Sequence, residues 1–539
     1  MADARSFFYW LLWLAPVAAA IPAAKELLHF LQLSSYQLSG FVLTLRRQWK
    51  KAFLPGLLLA LALFALAFAA DRAARWMGYT NAVLAGAAAL SLGLGCMTGR
   101  VVYSPAKVVK PLAVTGRVRR LVAALALVML AAALLLRRWA PVMGLSALLP
   151  ALLPLWVAVA AMIAWPFEKL VSYLFIRDAV RILDAQLGLI RIGVTGSYGK
   201  TSVKFILKTL LSEKYPVLAT RQSFNTPMGV TRCIREDMRP EHRVFIAEMG
   251  ARHRRDIRDL TRFVRPEIGI LTAVGPQHLE TLGDIDRVAE TKFDLIRALP
   301  PDGFAVFYND GICRSLYDRT AVPKAIVGLP GDDLWAEDQV LTNAGSAFTL
   351  CMKDGRRIPC ETALPGEHSI RNILLAAAVA LHLGISEAQL KRGIAWLRPV
   401  ASRFQAETLP DGRIVINNAF NSNPESSKGA LTMLAAYPGR RIVVTPGFIE
   451  LGKHEDTYHF EFGQRIARSA ELALLIGPRR TRCIADGLAA AGFPAENICT
   501  FATLREANDH LAAIATPEDV ILYENDLPDQ YAEGKRRGK

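Results

Sequence analysis

The stretch LIRIGVTGSYGKTSVK, residues 189–204, places a strand, a glycine turn and a helix start in direct succession. Leu189 to Val194 is apolar and β-branched, as a buried strand requires, and Thr201 to Leu211 is compatible with a helix. Between them, Gly193, Gly196 and Gly199 leave the backbone N–H groups free to surround a polyphosphate at the helix N-terminus. Lys200 supplies a point charge for the β- and γ-phosphates, and the Thr201 hydroxyl suits Mg²⁺. The loop from Gly196 through Ser197, Gly199, Lys200, Thr201 and Ser202 is therefore an expected ATP site. The alternative is a glycine-rich turn with a chance lysine, and it leaves the agreement of strand, loop and helix unexplained.

The chain is long enough, at 539 residues, for several domains. Its seven cysteines are scattered and never in C-x-x-C spacing, which argues against a disulfide framework or zinc and for a reducing compartment. The net charge of +16 is unevenly placed: residues 1–190 hold 19 Lys and Arg against 6 Asp and Glu, leaving only +3 for the remainder. Cations flanking apolar runs indicate membrane topology, and no nucleic-acid partner is expected.

Those runs are Phe7–Ala24, Ala52–Ala70, Ala82–Met97, Leu121–Leu136 and Val142–Trp165. Several approach or exceed the roughly 18–20 residues that a helix needs to cross a bilayer, and five spans are expected. The loops holding Arg46, Arg47, Lys50 and Lys51, and Arg100 to Arg120, are richer in cations than those holding Arg72 and Arg75, or Arg137 and Arg138. The positive-inside bias then puts the N-terminus outside and everything after Trp165 in the cytoplasm. Leu27–Leu45 reads as an interfacial helix. The expected class is multi-domain: an N-terminal α-helical transmembrane domain over 1–170, a connector helix over 171–188, an α/β P-loop domain over 189–400 and a C-terminal α/β Rossmann-like domain over 401–539. In the soluble part, strands are expected at 216–220, 243–249, 267–274 and 304–308, short antiparallel strands over 333–365, and a second α/β set at 413–417, 441–445, 472–476 and 520–523.

The pattern G-x-T-G-x-x-G-K-T-S departs from the general phosphate loop and resembles that of the Mur ligases, ATP-dependent amide-forming enzymes of peptidoglycan (cell-wall) biosynthesis. The segments NAFNSNP (418–424) and VTPGFIELG (444–452) resemble the D-alanyl-D-alanine-adding, MurF-type branch. The resemblance implies a central P-loop domain, ATP and Mg²⁺, and roles for particular residues. Asn225 and Thr226, in SFNTPMG, would meet the substrate beside the γ-phosphate, although from the residues alone a surface turn is the better reading. Glu248, closing the strand RVFIAEMG, would hold Mg²⁺ with Thr201; otherwise it caps a following helix. His278 would hold a second Mg²⁺ and Lys292 would be carbamoylated by CO₂ into an anionic oxygen ligand. Asn309 and Asn372 would meet the nucleotide, and Arg403 would reach the phosphates.

Asn417 and Asn418 stand where the family carries acids, one of which contacts the ribose. YENDLPD (523–529) replaces a basic segment, so Glu524, Asp526 and Asp529 favour an amine or another cation over a carboxylate; an acidic surface loop is the alternative. The membrane domain occupies the place of the family's uridine-nucleotide-recognising domain. The implied activity is membrane-bound, ATP-dependent joining of a carboxylate to an amine through an acyl phosphate. The implied setting is the bacterial inner membrane, with multiple passes and cytoplasmic catalytic domains. The bilayer, a lipid-linked or nucleotide-linked muropeptide and an amine such as a dipeptide are the expected partners. Rivals are a ligase for another envelope substrate such as a polyglutamate, a transport ATPase, and a non-catalytic ATP-binding scaffold.

Overall fold

A computed structural model describes residues 2–77, 80–103, 111–139, 144–399, 405–419 and 422–525. The chain forms two compact units that meet in sequence between Tyr173 and Leu174.

In the first unit, five helical segments are long and apolar enough to cross a bilayer: Ser6–Ala23, Trp49–Trp76, Asn81–Val102, Gly116–Trp139 and Leu145–Asp184. Their outward faces carry exposed Leu57, Leu61, Phe68, Leu127, Leu135 and Ile163, while Trp13, Phe30, Leu125 and Met129 are buried inside. An apolar exterior over that length suits hydrocarbon rather than water. The helix Thr80–Val102 packs closely on Ala2–Ala23, because a Cβ on Gly95 or Gly99 would sit 2.2 Å from the Ala19 carbonyl oxygen or 2.3 Å from that of Pro22. Small residues four apart permit such backbone approach.

Two expectations for this region change. The stretch over 27–45 is not one helix: Lys25–Leu33 and Leu38–Arg47 are separated by a turn in which Ser35 and Tyr36 have φ of +52° and +61°. Leu27, Leu28, Phe30 and Leu31 are buried within the unit instead of lying along its edge. Nor is there a separate connector over 171–188, since Leu153–Asp184 is one helix of 32 residues. Its apolar and amphipathic halves share the helical period, so nothing in the sequence interrupts it.

The second unit holds two sheets. The first contains β1 (Ile190–Thr195), β2 (Val217–Ala219), β3 (Val244–Glu248), β4 (Ile268–Leu271), β5 (Phe304–Tyr308), β6 (Lys324–Gly328), β7 (Leu334–Thr342), β8 (Gly345–Met352) and β9 (Arg357–Thr362). Their order is β2-β3-β1-β4-β5-β6-β7-β8-β9. The pairings through β7 are parallel, and β7, β8 and β9 pair antiparallel. The chain winds one way from β1 to β2 and β3 and the other way from β4 onward, so the carboxyl end of β1 opens at the switch point where α/β sheets bind ligands.

The second sheet contains β10 (Gln405–Thr408), β11 (Ile414–Asn418), β12 (Arg441–Thr445), β13 (Leu472–Ile476), β14 (Ile498–Phe501) and β15 (Val520–Glu524). Its order is β10-β11-β15-β12-β13-β14, parallel except at β10. The strands β6, β10 and β14 lie outside the expected set. All seven cysteines are free.

Candidate nucleotide and metal site

At the end of β1 the chain turns on Gly196 (φ +151°) and Gly199 (φ +82°). A Cβ on Gly196 would sit 2.0 Å from Thr272 Oγ1, and one on Gly199 would sit 2.7 Å from Asn372 Oδ1. The loop is bolted to the segment after β4: the Ser197 amide donates to the Ala273 carbonyl at 2.7 Å, and its hydroxyl donates to the Gly275 carbonyl at 2.9 Å. The helix Lys200–Leu211 then begins at Gly199 with no side-chain cap. Its first N–H groups remain available to an anion. Lys200 Nζ folds back onto the Gly196 carbonyl at 2.6 Å and that of Ser197 at 3.1 Å.

Parallel register places Glu248 beside Val194, one residue short of the loop. Its carboxylate is 1% exposed and meets Lys204 Nζ at 3.0 Å, while Asn225 Nδ2 donates to its other oxygen at 3.0 Å. Burial raises the Glu248 pKa, but the Lys204 and Lys200 charges outweigh it and hold the carboxyl below its ordinary value. Asn225 thus holds the carboxylate rather than forming a surface turn. Thr226 caps the helix Pro227–Asp237 through the Gly229 amide. Thr201 Oγ1 is buried without a hydrogen-bond partner. Such an orphan oxygen, on the helix whose Lys204 meets the ionised Glu248, suits Mg²⁺, a hard cation. Among the described residues no group of three or more His, Cys, Asp or Glu is poised for a metal, so phosphate oxygens would complete its shell.

Lys292, on the helix Ile285–Arg297, is 1% exposed and donates to the Gly196 carbonyl at 2.9 Å. Burial, then the Lys200 charge, lowers its pKa well below the ordinary lysine value, favouring the neutral amine. His278 occupies left-handed backbone at φ +54°, and its Nδ1 is hydrogen-bonded to Glu450 of the loop after β12. Burial lowers its pKa against the opposing pull of Glu450. Glu450 itself has φ +64°, its carbonyl accepts the Glu280 amide at 3.0 Å, and Arg252 lies 3.8 Å from its carboxylate. The segment VTPGFIELG therefore reaches from the second sheet to the loop of the first.

Sequence reading missed Lys204, Glu450 and Arg371. Lys204 lies one helical turn after Lys200, facing a carboxylate that needs a cation. Arg371 braces the site, pairing with Asp310 at 3.1 Å and lying 3.8 Å over the Tyr308 ring.

Beside the loop an open cleft of about 550 Å³ is lined by Ser202, Phe205, Ile206, His368, Asn372 and Leu397, among others. Asn309 is turned elsewhere, donating to Asp332 at 2.9 Å. Arg403 lies outside the described residues, as do Asp526 and Asp529.

Glu524 does not belong to a surface loop: it ends β15, is 0% exposed, and accepts from Asn418 Nδ2 at 2.9 Å and from the Ser422 hydroxyl. The Asn418 amide is accordingly engaged by Glu524. Burial pushes the Glu524 carboxyl up to about 7 against those two donors. The unfolded chain releases this proton near its ordinary value of 4.5, so between there and about 7 the folded protein holds a proton that the unfolded one lacks. Stability then falls as pH rises through that window, by on the order of 3 kcal/mol. Glu524→Gln should flatten this slope, so that the variant gains in Tm relative to the parent between pH 5 and pH 8. Parallel Tm curves for the two proteins would rule out the raised titration.

Residues 194–380 match the Mur ligase middle domain, and residues 402–523 match the Mur ligase, glutamate ligase domain. The chain belongs to the Mur ligase family. Members of this family are ATP-dependent ligases that form amide bonds, and they use ATP and Mg²⁺. Among similar proteins, the UDP-N-acetylmuramoyl-tripeptide–D-alanyl-D-alanine ligase of Escherichia coli K12 is 30% identical over 277 residues, 51% of this chain and 61% of that protein. The enzyme of the same name from Synechocystis is 33% identical over 303 residues, 55% of this chain and 64% of that one. The chain thus spans less than two thirds of these relatives' length. MurF from Acinetobacter baumannii superposes with a TM-score of 0.61 at 23% identity, covering 67% of this chain and 78% of that structure. MurF ligase from Thermotoga maritima in complex with ADP gives 0.59 at 23% identity, covering 66% and 80%. The fold of the second unit is the Mur ligase fold.

Proposed function

We propose that the chain is a membrane-anchored ATP-dependent ligase of the D-alanyl-D-alanine-adding type, joining a muropeptide carboxylate to an amine in peptidoglycan precursor synthesis. One observation carries this reading: Lys200, Thr201, Glu248 and Lys292 converge on a single phosphate loop, and the chain belongs to this family. The apolar segments of the first unit support membrane anchoring. By the cation bias of their loops, the ligase unit faces the cytoplasm, where ATP is available.

In this reading the helix N-terminus and Lys200 grip the triphosphate, with the nucleoside in the cleft beside Asn372 and Ser202. Thr201 and Glu248 would hold one Mg²⁺, and His278 with a modified Lys292 a second; the ions supply neutralisation of the triphosphate charge. The substrate carboxylate attacks the γ-phosphorus, a C–O–P bond forms, the bond to the β-phosphate oxygen breaks, and ADP leaves. The amine then attacks the acyl carbon, phosphate departs with the C–O bond electrons, and a proton is lost from nitrogen. Arg403 would stabilise charge on the transferred phosphoryl group.

The lowered Lys292 pKa supports carbamoylation. The nitrogen lone pair adds to CO₂, an N–C bond forms, one proton leaves to solvent, and the neutral amine becomes an oxygen-bearing anion. Growth and purification in ¹³C-bicarbonate should give a carbamate carbon signal in the NMR spectrum that Lys292→Ala lacks. Its absence from an active enzyme would sink the assignment.

The activity test uses full-length protein in nanodiscs with ATP and Mg²⁺, soluble UDP-linked and lipid-linked muropeptides, and an amine panel including D-alanyl-D-alanine. Amine-dependent ADP release with an amide product is expected. Release without any amine would favour a transport ATPase, and none at all a scaffold. Preference for the lipid-linked donor is the result expected from the membrane unit.

A further inference from the structure

Charged groups are scarce in the spanning helices, and one carboxylate among them is buried. Glu168, on the helix Leu153–Asp184, is 8% exposed and lies between two arginines of the helix Gly116–Trp139. Arg120 donates to both its oxygens, at 2.5 and 2.9 Å. Arg117 stands farther off, 3.7 Å from the carboxylate, and lies over the Tyr36 ring at 3.9 Å. One carboxylate facing two guanidiniums leaves a net charge of +1. The bidentate partner is Arg120, so the unspent cation is Arg117.

Arg117 and Glu168 border a shallow, open cleft whose other walls are Leu31, Tyr36, Leu121, Ala161, Ala164 and Trp165. Ala161 and Ala164 are three apart, on one helix face, and their small side chains leave a groove there. The cleft is thus amphiphilic, with an apolar channel ending at a fixed cation. The Arg120–Glu168 pair also joins the start of one helix to the latter part of the next. That end carries the basic loop residues, and from it the chain continues toward β1. A buried carboxylate within an apolar, membrane-length helix is costly and indicates function.

We propose that this cleft binds the phosphate head of an anionic lipid, with Arg117 on the phosphate and the chain along Leu121, Ala161, Ala164 and Trp165. The apolar walls disfavour free phosphate, and the net positive charge disfavours a zwitterionic head. The inference extends the lipid-linked donor reading above by naming where such a donor, or a lipid like it, is held. It does not depend on ligation, because binding is measured without ATP or amine.

The experiment is native mass spectrometry of the full chain in detergent, titrated with dioleoyl phosphatidic acid, dioleoyl phosphatidylcholine or inorganic phosphate. Saturable binding of the phosphatidic acid alone is expected. Loss of one charged hydrogen bond in Arg117→Gln should weaken it about tenfold or more. Arg119→Gln, an exposed cation on the same helix, should change it little. Equal weakening by both variants would mean diffuse charge attraction and overturn the proposal, as would inorganic phosphate competing as well as the lipid. Trp165→Ala provides an independent check on the channel and should weaken the lipid without changing the response to inorganic phosphate.

Discussion

Lys292→Ala should reduce ATP-dependent ligation by at least about a hundredfold, the scale seen when a preorganised charge-stabilising group is removed, while nucleotide affinity stays within a few-fold. The side chain is buried beside Gly196, so the variant loses packing as well as charge. A Tm measurement separates the two effects, since a folded but inactive variant locates the defect in the chemistry. Lys292→Arg should not restore activity, because a guanidinium stays protonated and does not add CO₂. Small carboxylic acids such as acetate should partly restore turnover to the alanine variant by entering the vacated space as oxygen ligands. Full activity in Lys292→Arg would remove the need for any carbamate.

The second large effect is on stability. Glu248→Gln should cost about 3–5 kcal/mol, the range for breaking one side of a buried ion pair, because Lys204 has 0% exposure and would lose its carboxylate in the interior. The fall should appear as a lower Tm and denaturation midpoint for the whole chain. The double variant Glu248→Gln with Lys204→Met removes both charges and should recover much of that loss, an interaction that a thermodynamic cycle measures directly. Activity should not return, since the carboxylate proposed to hold Mg²⁺ is still missing. If the single variant melted with the parent, the pair would have no structural weight.

What the sequence made legible is local. The strand, turn and helix of 189–211, and Glu248 closing an apolar strand, are written in contiguous residues whose periods and turn chemistry force one arrangement. The strand over 304–308 appears where its apolar run ends at the turn FYNDG. Contacts between distant residues were not legible. Glu450 reaches His278 across 172 positions and Lys204 meets Glu248 across 44, and no periodicity encodes such pairings. The strands β10 and β14 are four-residue edge strands, and β6, inside the first sheet, has an apolar core of only three residues, Ala325 to Val327. The interruption at Ser34–Gln37 rests on two left-handed residues that carry no glycine or proline to announce them. Asn418 and Glu524 were both singled out, yet their mutual bond appears only when β11 and β15 pair in register.

Glu450 has one more consequence, in the timing of a catalytic cycle. Holding a non-glycine residue at φ +64° costs about 1–2 kcal/mol, and the contacts that Glu450 makes to His278, Arg252 and the Glu280 amide offset it. The strain therefore acts as a weak spring set against the clasp, lowering the cost of separating the two sheets' loops. If opening limits the rate, as it often does in enzymes that close over their substrates, Glu450→Gly would shed the spring together with the clasp. Product would then leave no more slowly than from the parent, because the side-chain contact between the two loops is gone, even with the chemistry intact.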